Sequence, residues 1–344
     1  MELKAEKVRV SDSWEAVNRL YYVRGWTDGL PIVPPTEDRV MAMLQATTRD
    51  PQDTVAVLPP RWAAAIVEKV AINAVMAGCL PEYLPVVITA LEAMSEERFN
   101  LMAVQATTHP CAPLVIVNGP IRKKLEMNSG ANCLGQGNRA NATIGRAIRL
   151  CLVNLGGGTP GIGDKSTQGQ PGKYTYCIAE NEEDSPWEPL HVERGFPAEV
   201  STVTVTAGEA PHNVSDQYNK EGHWVLMMMA GTMGIAGSNN PHMLSGEPLV
   251  AFGPEHSHTI ARDGYSSKKQ VKDFLYENGM VPIKWFSPSD IQRRYQPFQA
   301  QGRVPLTRSA DDLMVIVAGG AGKHSCYMPT FGDTYSVTRA IPQG

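Results

Sequence analysis

The chain has 344 residues, 31 Lys and Arg against 35 Asp and Glu, a formal net charge of -4 and a hydrophobic fraction of 42%. That apolar share supports a substantial core, while the mild acidity and the absence of any dense Lys/Arg run argue against nucleic acid or an anionic membrane surface as the main partner. Small molecules are the expected ligands, and the cytoplasm is the expected compartment, because the first ten residues are charged and the longest apolar stretches (62–76 and 225–236) are too short or too interrupted to span a bilayer.

In chain order, a helix is predicted from about Trp14 to Arg24, capped by Ser11 or Ser13, followed by the irregular passage G-W-T-D-G-L-P-I-V-P-P and a second helix begun by Thr36. Trp26 and Asp28 in that passage either close a turn or reach a site. Residues 61–77 are Ala-rich and apolar at helical spacing, stop at Gly78 and resume after Pro81, which predicts a helical hairpin. Its turn places Cys79 just before a helix start, where a thiolate is favoured if exposed, and Glu68 sits on an otherwise apolar helix surface, either paired or held for chemistry.

Leu114 to Asn118 reads as a buried strand, followed by a short helix through Leu125. The glycine and amide loop from Ala131 then runs straight into a helix whose core stripe is Ala140, Ile144, Ile148, Leu152 and Leu155. Asn138, Arg139, Asn141 and Thr143 stand where unpaired amide N–H groups and the helix dipole favour an anion; the plainer alternative is an Asn-capped helix behind a flexible loop. Residues 156–173, rich in glycine, form a long irregular loop whose Asp164, Lys165, Ser166, Thr167 and Lys173 suit a functional role. A strand from Tyr174 to Ile178 follows, then an acidic run taken mostly as solvated surface.

Further on, strands are predicted at 201–206, 248–252 and 313–318, and helices from about His223, at 255–262 and at 268–278. The alternation predicts an α/β protein with layered, mixed or mostly parallel sheets flanked by helices and an N-terminal helical segment. The expected organisation is an N-terminal α/β part over 1–156, a glycine-rich connector over 157–200 and a C-terminal α/β part over 201–344, or one continuous domain. Residues 288–309 are the best candidate for an excursion or hinge, and no period marks a tandem repeat.

Six cysteines, at 79, 111, 133, 151, 177 and 326, include no C-x-x-C pair, so reduced thiols are expected and no zinc ribbon or thioredoxin motif is present. The segment V-I-V-A-G-G-A-G-K-H-S-C fails as a phosphate-binding P-loop, because Val317 and His324 occupy places that need glycine and Ser or Thr. What survives is a glycine turn at a strand exit with Lys323, His324, Ser325 and Cys326 crowded together. His256 and His258 lie roughly 200° apart on a helix and cannot share one metal there. Before the buried strand, His109 and Cys111 alternate to one side if extended, and an imidazole beside a thiol is the usual way to activate cysteine. No nucleotide-binding motif and no strong metal motif are found, and the cofactor is left unknown.

With G-W-T-D-G-L-P-I-V-P-P-T-E, H-P-C-A-P-L-V-I-V-N-G-P, G-N-R-A-N-A-T-I-G-R-A and G-G-A-G-K-H-S in view, the chain resembles a bacterial family associated with small UGSC-type proteins, which carry a (Sec/Cys)-Gly-Ser-Cys motif. The resemblance spans most of the chain and implies a thiol or selenol redox context, without assigning a reaction or catalytic residues. The tetrapeptide itself is missing here, the nearest being His324-Ser325-Cys326, so it would come from a small Cys/Sec partner protein.

The leading expectation is an enzyme acting on a small anionic substrate by thiol-assisted redox or bond-cleaving chemistry. Asn138, Arg139 and Asn141 would hold the anion, Lys165 or Lys323 would add charge, Cys111 or Cys326 would be the nucleophile, and His109 or His324 the base. One rival is a metal-dependent or cofactor-free hydrolase or lyase in which Glu68, Asp164, Lys165 and the histidines transfer protons. Another is a non-catalytic partner subunit or ligand-binding protein. A homo-oligomer is expected, with Met227 to Met229 and the acidic run available for subunit contacts.

Overall fold

In the computed structural model, which describes residues 3–342, local chemistry decides where the first helices start and stop. Ser13 caps α1 (Trp14–Val23) by accepting a hydrogen bond from Ala16 N at 3.1 Å, and α2 spans Glu37–Leu44. Residues 61–66, expected to begin a helix, turn back after Pro59 and Pro60 as the second strand of a hairpin, β1 (Thr54–Leu58) with β2 (Ala63–Ile66). Pairing with β1 outweighs the helix preference of these alanines. Helix α3 is therefore only Val67–Ala77, stopped by Gly78 at φ +92°, where a residue without Cβ closes the last turn. After α4 (Leu84–Met94) and α5 (Leu101–Ala106) the chain enters β3 (Ala112–Asn118), then α6 (Ile121–Lys124), α7 (Arg139–Asn154), β4 (Cys177–Ala179), α8 (Leu190–Glu193), β5 (Thr202–Gly208) and β6 (His212–Ser215).

The C-terminal part runs α9 (Gly222–Met233), α10 (Asn239–Met243), β7 (Leu249–Phe252), α11 (Pro254–Arg262), α12 (Lys268–Asn278), β8 (Val281–Pro282), α13 (Pro288–Asp290), β9 (Arg303–Val304), β10 (Met314–Val317), β11 (His324–Met328) and β12 (Val337–Ala340). The mixed α/β class read from the sequence is the one adopted, with parallel and antiparallel pairs in both large sheets. Among the described residues no helix is long and apolar enough to cross a membrane.

The two four-stranded sheets have the orders β4-β3-β5-β12 and β10-β7-β11-β6. In each, the first pair is parallel and the next two pairs are antiparallel. The order of elements also recurs: α4, α5, β3, α7, β4, β5 and β6 are echoed by α9, α10, β7, α11 with α12, β10, β11 and β12. The last strand of each half pairs in the other half's sheet, so β6 lies beside β11 and β12 beside β5. The links into the exchanged strands cross as a short antiparallel ladder. Gly208 bridges Thr330, Glu209 N donates to Pro329 O at 2.8 Å, and Phe331 N donates to Ala207 O at 2.9 Å. The sequence carries no repeat period, because packing geometry has been kept while residue identity has not.

Alternation along the strands divides the core. Val115 and Val117 join a cluster with residues of α3, α4 and α7, whereas Leu114 and Ile116 join Leu249, Ala251, Met314 and Ile316 of the second sheet. Val250, Phe252, Val315 and Val317 complete a third cluster with α9 and α12. Strands covered on both sides read as continuous apolar runs, and a fully buried Val, Leu or Ile contributes about 1.5–3 kcal/mol. The expected strand at 174–178 is shifted to β4, since Pro171 to Lys173 form a tight turn before it.

The acidic run is not mainly solvated surface. Glu180 is fully buried, accepting from Asn118 Nδ2 at 2.6 Å and Leu190 N at 2.8 Å, and its other oxygen is 3.4 Å from Lys268 Nζ on α12. Lys268 also lies 3.4 Å from Glu193, which pairs with Lys272, while Arg122 binds Glu182 at 2.7 Å. Elements of both halves are thus tied by ion pairs removed from water. Breaking one side of such a pair leaves the other charge buried and alone. Lys268→Met is expected to lose about 3–5 kcal/mol of unfolding free energy in urea titrations, and Lys268→Met with Glu180→Gln less than that; equal losses would contradict the pairing.

Candidate functional site

The amide-rich loop before α7 has its polar groups taken up internally. Asn138 caps the helix, accepting from Asn141 N at 3.0 Å and donating to Glu126 O at 2.7 Å. Asn141 is buried and accepts from Asn128 N while donating to Asn128 O and Cys133 O. Thr143 donates to Arg139 O at 2.8 Å, and exposed Arg139 donates to Gly78 O at 3.1 Å. The capped-helix alternative accounts for these four residues. From the next turn Arg146 forms a bidentate pair with Asp28 at 2.7 and 2.9 Å, so Asp28 closes the G-W-T-D-G-L-P passage onto α7.

Three other expected groups also have structural partners. Glu68 is fully buried and accepts from Lys4 N, Ala5 N and Gln52 Nε2, which fastens the N-terminal segment to α3. Lys323 donates to Gln217 O at 3.1 Å, and His324 pairs with Asn213 and Gln217 at the surface. In α11, His256 is buried against Ser325 Oγ at 2.8 Å and Asp216 O at 3.2 Å, whereas His258 is exposed.

The thiols are not poised as nucleophiles. Burial pushes Cys79, Cys111 and Cys326 each up to about 12, outweighing the nearby Arg139 at Cys79 and Lys173 and Arg149 at Cys111. Cys79 donates to Thr143 O at 3.3 Å, and Cys111 contacts Val104 O at 3.9 Å. His109 makes no hydrogen bond with Cys111: its Nε2 lies 2.7 Å from Glu209 Oε1, and its ring stacks on Phe331 with centroids 5.3 Å apart.

A different group of residues assembles where β3 and β4 begin. Asp164 and Lys173, both from the glycine-rich loop, pair at 2.6 Å. Lys173 Nζ also donates to Ser166 Oγ at 2.6 Å, and Ser166 donates on to His109 O at 3.0 Å. Burial alone would raise the Asp164 carboxyl, but the bonds from Lys173 and from Ser166 N together hold it below its ordinary range. Lys165 turns back to Gly161 O at 2.6 Å, and Thr167 is tied to Thr108 O. These contacts give the long loop a fixed shape, which spacing alone could not disclose.

Arg149 completes the cluster from α7, and nothing in the sequence distinguished it from a packing residue of that helix. It is 9% exposed and makes no hydrogen bond or ion pair with any described residue, unlike the other buried cations Arg122, Lys268 and Lys272. Burial lowers its pKa while Asp164 acts in the opposite direction, so the carboxylate is within electrostatic reach without touching it. The Cys111 thiol feels the charges of Lys173 and Arg149, which lower it, and of Glu209 and Asp164, which raise it, all against the larger effect of burial. In the segment leading to Cys111, the buried atoms His109 Nδ1 and Gln105 Oε1 have no hydrogen-bond partner among the described residues. By contrast, a groove of about 830 Å³ between the N-terminal arm and α3 is lined by Trp14, Tyr21, Trp26, Ile72 and Met76 and brings none of these charges together.

Among the described residues no cluster of three or more His, Cys, Asp or Glu is arranged to hold a metal ion. Comparisons with family models, curated proteins and solved structures found no match. The likeness to the UGSC-associated family therefore rests on the motifs quoted for it.

Two outcomes follow from the electrostatics. Iodoacetamide is expected to modify the native cysteines slowly at pH 7.5 and rapidly after unfolding, and a fast native thiol detected by mass spectrometry would contradict the buried environments. Asp164 has an ordinary value of 3.8 and a lower folded value, so its stabilisation is complete above about pH 4 and is lost as pH falls through the folded value. Asp164→Asn is expected to flatten the acid limb of a stability–pH curve in that window.

Proposed function

We propose that this chain binds a small anionic substrate where β3 and β4 begin, with Arg149 holding the anionic group, and acts on it by cofactor-free proton transfer of the hydrolase or lyase type. The observation that carries this reading is the buried, unpartnered Arg149. Arg149 is largely withdrawn from water and Asp164 acts on it only at a distance, so an anionic ligand in direct contact would supply the closer counter-charge. The adjoining Lys173, Asp164 and Ser166 provide further charge and hydrogen-bonding capacity. A cytoplasmic setting and a homo-oligomer belong to the same proposal, the latter favoured by exposed Trp224 and Met228 on α9.

Thiol-assisted chemistry at Cys111, with a small thiol or selenol protein as partner, is the second reading. Lys173 and Arg149 favour it by drawing the Cys111 thiol downward, but burial is the larger influence. The proton-transfer reading is preferred for that reason.

The test is thermal unfolding and calorimetry with malonate and phosphate at millimolar concentration. The wild type is expected to be stabilised by one or both, and Arg149→Met to lose the effect. Without ligand, Arg149→Met is expected to be neutral or up to about 1–4 kcal/mol more stable, because it removes an unpaired buried charge. A clear loss of stability in that variant, with no anion effect in the wild type, would make Arg149 a structural residue.

A further inference from the structure

We infer that His109 is the proton acceptor of the Arg149 site, that Glu209 positions it, and that the ligand is a small anion carrying an O–H or N–H donor. This rests on the reading of Arg149 as the anion holder and adds what the ligand must offer besides its charge.

The inference comes from the partners that the buried groups lack. Glu209 is a carboxylate 2.7 Å from His109 Nε2, so that nitrogen carries the proton and donates it. The imidazole is further fixed by stacking on Phe331, and its backbone is held by Thr107 Oγ1 and Ser166 Oγ. With Nε2–H engaged, the lone pair is left on Nδ1, which is buried and has no partner. Gln105 donates from Nε2 to Pro59 O at 2.6 Å, and its buried Oε1 is likewise an acceptor with nothing to accept. Burial penalises an unpaired acceptor, so the idle acceptors of Gln105 and His109, in the segment leading to Cys111 whose thiol feels Arg149, are the complement of a ligand with one anionic group and hydrogen-bond donors. Hydroxycarboxylates fit this description better than their deoxy counterparts.

Glu209, from the β5–β6 link, is the charge in contact with the His109 ring, Ser166 Oγ links the His109 carbonyl to Lys173 and through it to Asp164, and Arg149 of α7 feels Asp164 and Cys111. The step they support moves only a proton. A ligand O–H or N–H gives its proton to Nδ1, the electron pair stays on the donor atom, and Arg149 and Lys173 offset the developing negative charge while Glu209 stabilises the imidazolium. Glu209 acts through the ring and touches no substrate. It is itself steadied by Asn239 N at 3.4 Å and by Tyr176 Oη, which donates to its carbonyl.

Calorimetry with two probe pairs, malonate with hydroxymalonate and succinate with L-malate, tests the inference. In the wild type the hydroxy member is expected to bind about tenfold more tightly, the size of one hydrogen bond to a poised acceptor. His109→Phe, which keeps an aromatic ring on Phe331, is expected to abolish that preference while malonate binding changes by less than about twofold. Equal binding of both members by the wild type would overturn the inference and leave the anion reading standing. Should no anion bind, the anion reading fails and this inference with it, while the long-range ¹⁵N–¹H spectrum of His109 separately tests whether Glu209 sets its tautomer. A proton on Nε2 and none on Nδ1 is expected, with Glu209→Gln shifting the tautomer balance. Protonation on Nδ1 in the wild type, or a spectrum indifferent to Glu209→Gln, would overturn it.

Discussion

The crossing of two chain links at Gly208 and Thr330 is the constraint on which the rest of the molecule depends. Each half ends in a strand that pairs in the other half's sheet, so neither sheet is complete without a strand from the other half. The same crossing assembles the site. His109 arrives ahead of β3, Glu209 leaves β5 and Phe331 leaves β11, and only the antiparallel ladder between the links brings all three to one imidazole.

Charge has been handled in two ways inside this fold. At the other ends of β3 and β4, Glu180, Glu193, Lys268, Lys272, Arg122 and Glu182 are mutually paired, which fits a structural role joining the halves. Around Cys111 the pairing is incomplete, because Asp164 has Lys173 and His109 has Glu209 while Arg149 has neither hydrogen bond nor ion pair with any described residue. Proteins tolerate such imbalance where a ligand restores it. Thiol chemistry is disfavoured by the same surroundings, since burial that isolates Arg149 also holds the Cys111 thiol in its neutral form.

Periodic features were legible in the sequence and long-range ones were not. Helix α12 runs Lys268–Asn278 as its apolar spacing and Ser267 cap imply, and β3 follows from an uninterrupted apolar run. Short strands such as β6 and β11 give no sequence signal, because many of their residues are exposed or polar and their partners lie far away, His324 opposite Ser215 and Ser325 opposite Phe252. The repeat escaped notice for a related reason: it resides in pairing order. In the site, His109, Asp164 and Thr167 stood out through loop composition, but Arg149 lay unmarked within a helix and Glu209 within a polar link. The loop at Asn138 to Asn141 drew attention through chemistry that proved to serve the helix start.

A crystal structure of the protein soaked in malonate addresses the central claim most directly. A carboxylate seated bidentately on the Arg149 guanidinium, with Asp164 still paired to Lys173, is the result expected. Arg149 turned onto Asp164, or an Arg149 site left empty at saturating malonate, would contradict it.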